Sequence, residues 1–162
     1  MHGNFWRRGI LGFAPVLLWL TVSSAALAQN SAAKLEALIK GSGYTTTKVN
    51  DTVWTVDFTG KQLPRFKMVL SASSKEKDGL FVIFTNPAEK SRLPATPNFL
   101  SLLLKANHDF DFVKVGIDND GDVFVRADIP GSADGGYFKS IVEQVAAATD
   151  QLYGRIKPLL RN

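Results

Sequence analysis

No cysteine occurs anywhere in the chain, so a disulfide framework is excluded and the core must hold the fold by itself. The same absence rules out a lipid anchor attached through cysteine and a thiol nucleophile. Histidine is nearly as scarce: of the two present, only His108 lies beyond the first few residues. Metal sites usually need three or four protein ligands, and one histidine near Asp109 and Asp111 gives no recognised ligand spacing. Those two carboxylates, two residues apart, read as exposed acids at a strand entry rather than a general acid/base pair. A serine-hydrolase elbow is also missing, because Gly41-Ser42-Gly43 is not Gly-x-Ser-x-Gly; Ser42 belongs to a helix terminus instead. There is no internal repeat, low-complexity run or interdomain linker.

What is there begins with a targeting pattern. Arg7 and Arg8 form a positive start, Gly9 to Val22 is apolar, and Ala26-Leu27-Ala28 places small residues at both recognition positions of a cleavage site. Residues 1–28 are therefore expected to be a cleaved signal peptide, with the mature chain starting at Gln29. Pro15 and the Ala-Leu-Ala end argue against a retained membrane anchor, and the Arg pair makes twin-arginine export the minor route. Arg7 and Arg8 leave with the signal, so 17 basic residues face 15 acidic ones and the mature net charge is +2. That is too little to indicate a nucleic-acid partner. Residues 29–162 are enough for one domain with a sizeable core, and the expected location is the bacterial periplasm, with no membrane contact after cleavage.

The stretch from Leu100 to Ile129 organises the rest. It reads as a short apolar helix, a break at Asn107 to Asp109, and a β-hairpin whose arms alternate with period two. Val113, Val115 and Ile117 share one face, as do Val123, Val125, Ala127 and Ile129. Matching those faces predicts Ile117 opposite Val123, Val115 opposite Val125 and Val113 opposite Ala127. The loop is then Asn119-Asp120-Gly121, with Gly121 left-handed. Asp118, Asp120 and Asp122 occupy positions 1, 3 and 5 of a calcium loop, but Val123 stands where glycine is needed and Ile129 where a bidentate Glu is needed. The acids read as a solvated turn.

Elsewhere, Ala32 to Lys40 predicts a first helix stopped at Gly41 and Gly43. Tyr44 to Asn50, Thr52 to Thr59, the Phe66-Met68-Leu70 alternation and Leu80 to Thr85 predict four consecutive strands. Asn86 to Pro97 reads as an irregular loop, with Asn98 capping the second helix over Phe99 to Ala106. The last helix is predicted from Tyr137 to about Lys157, where Pro158 biases the chain out of helical geometry. The expected fold is α+β: a mostly antiparallel sheet in the order α-ββββ-α-ββ-α, one face covered by helices.

Two features point outward. At about 100° per residue, the apolar side chains of the second helix span an arc of about 200°, against about 120° for the stripe Phe138 to Ile156 of the last helix. Phe99, Leu103 and Ala106 are assigned to the sheet; Leu100 and Leu104 form a surplus edge, expected to be an interface unless the Asn86 to Pro97 loop folds over it. On the hairpin, the derived register sets Lys114 opposite Arg126, a like-charge pair needing an offset from Asp128, Asp111 or an anionic partner. Leu100, Leu104, Lys114 and Arg126 are the candidate partner-binding residues. Charge is uneven too: Lys61 to Arg92 holds seven basic and three acidic residues, Asn107 to Gly135 two and seven.

From about Lys34 to Tyr153 the chain resembles the YbjN domain family, whose fold is similar to that of type III secretion chaperones. The resemblance rests on Leu35-Glu36-Ala37-Leu38 with Gly43-Tyr44, the strand at Trp54, and Leu102-Leu103-Leu104-Lys105-Ala106-Asn107. It continues through Gly116-Ile117-Asp118 with Asp120-Gly121, and Val125-Arg126-Ala127-Asp128-Ile129-Pro130. It implies a non-enzymatic module able to dimerise and to bind a partner polypeptide. The sequence reading is thus an exported binding or chaperone-like module, a homodimer in its simplest form, without cofactor or metal. The alternative is a small periplasmic hydrolase or ligand-binding protein with a site near His108.

Overall fold

Alternation of large apolar residues with smaller or polar ones places the strands, and a 3.6-residue period places the helices. The computed structural model describes residues 22–73 and 79–161. Helix α1 (Val22–Ser42) leads into strands β1 (Thr46–Asn50), β2 (Val53–Phe58), β3 (Phe66–Ser73) and β4 (Leu80–Ala88). Helix α2 (Pro97–Asp109), strands β5 (Lys114–Ile117) and β6 (Val123–Pro130), and helix α3 (Gly135–Ile156) follow. All strand pairs are antiparallel, in the sheet order β1-β2-β3-β4-β6-β5. This is the expected α+β arrangement, with β6 rather than β5 beside β4.

One face of the sheet carries Trp54, Val56, Met68, Leu70, Phe81 and Ile83, all buried against the helices. The stripe of α3 is buried from Phe138 to Ile156 as its period demands, and each large side chain sunk this way contributes about 1.5 to 3 kcal/mol. Two threonines interrupt that apolar layer. Thr149 donates to the Val145 carbonyl at 2.7 Å, which uses its only hydroxyl proton, so Thr85 is the donor in the 2.7 Å contact between the two side chains.

Several boundaries differ from the sequence reading, each for a local reason. Helix α1 starts at Val22, inside the predicted signal, and its described buried residues are Ala32, Leu35 and Ile39. The rest of the predicted signal, residues 1–21, lies outside the described residues. The helix ends at Ser42, whose Oγ donates to the Ile39 carbonyl, and Gly43 takes φ of 80°. Strand β4 runs past Thr85 to Ala88, because a bulge between Thr85 and Ala88 accommodates Pro87 without a ladder donor. Thr96, not Asn98, caps α2: its hydroxyl accepts from the Phe99 N–H, and Pro97 occupies the first turn, where its missing N–H is harmless. The predicted break at Asn107 to Asp109 is helical, and the chain turns at Phe110 to Val113 instead, through Phe112 at φ of 61°. Asp134 caps α3 by accepting from the Tyr137 N–H at 2.8 Å. Lys157 keeps helical angles, and Pro158 sits in a 3-10 turn, Lys157–Leu159, that continues the helix.

Candidate partner-binding surface

Helix α2 divides as its 100° spacing dictates. Phe99, Leu103 and Ala106 are buried, whereas Leu100 is 51% and Leu104 73% exposed. These leucines are four residues apart, one turn above the other on a single face. The preceding segment does not fold over them: residues 86–88 are drawn into β4, Lys90–Arg92 forms a 3-10 turn, and Leu93 packs into the core. Phe112, 67% exposed, adds an aromatic ring just beyond the helix.

The end of α2 is tied to the sheet by Asn107. Its side-chain amide accepts from the Val115 N–H at 2.8 Å and donates to the Val115 carbonyl at 2.6 Å. Those two groups point away from β6, so Asn107 fills the place a further strand would take on the edge strand β5.

The predicted hairpin register holds: Lys114 pairs with Arg126, Val115 with Val125 and Ile117 with Val123. Val113 lies just before β5, buried. The Asp118 N–H donates to the Asp122 carbonyl around Asn119-Asp120-Gly121, with Gly121 at φ of 91°. Asp128 settles the like-charge pair, accepting from Lys114 Nζ at 2.9 Å and Arg126 Nε at 2.7 Å. Burial pushes its carboxyl up, but the two cations outweigh that and hold it below the usual carboxylate range. Lys114 and Arg126 lie on the helix-free face of the sheet, so the structure does not join them to Leu100 and Leu104 in one patch.

The acidic turn is built as a turn. The Asp118 carboxylate accepts from the N–H groups of Asp120 and Asp122 and from Asn86 Nδ2, and Asp122 accepts from the Lys90 N–H. Partial burial raises the Asp118 carboxyl, yet these donors bring it below its ordinary value. Among the described residues no cluster of His, Cys, Asp and Glu is arranged to hold a metal. His108 is exposed at the end of α2, and its neighbour Asp109 is paired with Arg155, whose guanidinium lies 5.0 Å from the Phe110 ring centre. No described helix is long and apolar enough to cross a membrane.

Two features were missed in the sequence. One is the Asn107 contact. The other is the apolar character of the helix-free face, where Val53, Val69, Val82, Phe84 and Phe124 are half-buried. The unbroken apolar run Leu80-Phe81-Val82-Ile83-Phe84 was the available signal.

Residues 31–158 match the model of the YbjN family, described as "Putative bacterial sensory transduction regulator". The chain belongs to the YbjN family. No curated protein matches it in sequence. Among solved structures, the fold is similar to a chain of the heterodimeric ExoU-SpcU complex from the type III secretion system of Pseudomonas aeruginosa. That likeness has a TM-score of 0.50 and 17% identity, covering 77% of this chain and 96% of the other. A chain of the ExsC-ExsE complex aligns with a TM-score of 0.54 and 13% identity, over 80% and 95%. YbjN from E. coli aligns with a TM-score of 0.54 and 12% identity, also over 80% and 95%. The fold is therefore one shared with YbjN from E. coli and with chains of these two complexes.

Proposed function

We propose that this YbjN-family chain is an exported, non-catalytic binding module that engages a partner polypeptide and assembles through the outward edge of α2 as a two-fold homodimer. The observation that carries it is Leu104, 73% exposed beside Leu100 on a helix whose opposite face is fully used by the core. Adjacent exposed leucines on an ordered helix mark a surface meant for a second body, and closed two-fold dimers are the commonest way for a chain to cover one. Similar folds occur as chains of the ExoU-SpcU and ExsC-ExsE complexes, which supports protein rather than small-molecule partners.

A hydrolase centred on His108 finds no such support: its neighbour Asp109 is engaged by Arg155, and no cluster of three metal-ligating side chains forms among the described residues. Export to the periplasm rests on the N-terminal pattern. It is consistent with a family match that begins at residue 31.

Light scattering on the mature protein and on Leu104→Glu tests the assembly. The expected result is a dimer that the substitution converts into a folded monomer. A wild type that stays monomeric at high concentration, with Leu104→Glu simply unfolding, would overturn it.

A further inference from the structure

All three helices lie on one face of the sheet, and no described element covers the other. An antiparallel sheet with one wet face normally carries polar residues there. Here the register sets Thr55, Val69, Phe84, Arg126 and Lys114 in one row across five strands, and Val53, Ser71, Val82 and Asp128 in the next. Phe124 packs against Gly116, where a Cβ would meet its ring at 2.8 Å. The middle of the wet face is thus apolar, and β4 has the composition of a strand covered on both sides.

Charge narrows the choice of cover. At the β3–β4 end of this face a shallow depression is floored by Val69 and Pro87 and edged by Arg65, Lys67 and Arg92, with Glu89 the one carboxylate of its lining. Lys67 is neutralised by Asp57 at 2.8 Å, whereas Arg65 and Arg92 have no carboxylate partner among the described residues. Of the carboxylates on this face, Asp57 and Asp128 are already paired with Lys67, Lys114 and Arg126, and Asp118, at the end near Phe124, accepts from Asn86 and two backbone N–H groups. A second copy docked by the same face therefore offers the two arginines one acid that is neither ion-paired nor held in a turn, Glu89, which already lies beside arginines of its own.

We infer that the helix-free face seats an acidic segment of the partner polypeptide, its apolar side chains on Val69, Val82 and Phe84 and its carboxylates on Arg65 and Arg92. This rests on the reading that the chain binds a partner polypeptide, but not on the dimer.

The test uses the full mature protein, fluorescence anisotropy, and three labelled synthetic peptides: one alternating Leu with Glu, one Leu with Lys, one Ser with Glu. The Leu/Glu peptide is expected to bind, more weakly as salt rises, and the other two at least about tenfold more weakly. Arg65→Glu with Arg92→Glu, and separately Val69→Gln, should each weaken it by about tenfold or more. Thr55→Glu, on the same row but outside the core, does the same should Val69→Gln fail to fold. Leu104→Glu should bind the peptide like wild type, so failure of the dimer and failure of this site read out separately. Three results would overturn the inference: equal binding of the Leu/Lys or Ser/Glu peptide, no binding by any peptide, or affinities indifferent to the arginine and Val69 changes. Open-ended growth of the protein that the double arginine variant abolishes would also overturn it, since the acidic occupant would then be the Asp118 to Asp122 turn of another copy.

Discussion

Thr85 and Thr149 are both buried yet not equivalent. Thr149 sends its proton to the Val145 carbonyl within its own helix and accepts the proton of Thr85. Thr85→Val removes a donor and leaves Thr149 still bonded, whereas Thr149→Val leaves the Thr85 hydroxyl buried without an acceptor. The second change should lower stability by about 1 to 3 kcal/mol and the first by clearly less, as urea denaturation would measure. Equal losses would refute this ordering of the pair. Neither threonine announces the bond in the sequence, because the two lie 64 residues apart. What was legible at this scale was position: the split of α2 into Phe99, Leu103 and Ala106 against Leu100 and Leu104 follows from rotation per residue alone.

Among elements, docking is done by two polar side chains that the apolar pattern does not report. Asn107 looks like a helix-breaker when read by propensity, but its side chain is taken up by β5, and the helix continues past it to Asp109. The hairpin register was legible because period-two alternation allows one face-matched pairing; the lock on its edge is tertiary and was not. Asn107→Ala should release both Val115 groups, lower stability by about 1 to 3 kcal/mol and speed amide exchange at Val115 ahead of Val125. Unchanged protection at Val115 would show that the lock is dispensable.

Asp150 fastens α3 to the segment after β2 in the same manner, its carboxylate accepting from the N–H groups of Gln62 and Leu63 at 2.8 and 2.9 Å. Partial burial raises this carboxyl, but the N–H groups of Leu63, Gln62 and Lys61, with the Lys61 charge, bring it below its ordinary value. A carboxyl depressed in the folded state stabilises above its unfolded pKa, near 4, and loses that contribution as pH falls through the folded value. The melting temperature of wild type should exceed that of Asp150→Asn at pH 7, and the gap should close on acidification below about pH 4. A gap that stays constant to pH 2 would contradict the assignment.

For the whole molecule, the sequence carried the fold class and the helix-covered face, since both follow from periodicity. It did not show that the opposite face is also apolar, because residues alternating with a buried set are read as solvated by default, and the pattern is broken at length in β4 alone, with three-residue apolar runs in β3 and β6. The N-terminal region is the remaining whole-molecule question. If residues 1–28 are removed on export, protein recovered from the periplasm should have an intact mass beginning at Gln29 and should keep every described buried residue of α1. A mass corresponding to all 162 residues would mean that the segment is retained.

The sheet order has a consequence in time. Strands β1 to β4 pair with their immediate neighbours in sequence, but the second edge of β4 waits for β6, with Leu80 meeting Pro130 and Ala88 meeting Val123. Whether the chain folds as it leaves the ribosome or as it leaves the export channel, β4 emerges ahead of the 42 residues that follow Ala88 and end at Pro130. Until they arrive the most apolar strand of the molecule presents an unpaired backbone edge, the arrangement most prone to pairing with another incompletely folded chain. The hazard of aggregation is therefore concentrated at one seam, and it ends only when the final hairpin arrives.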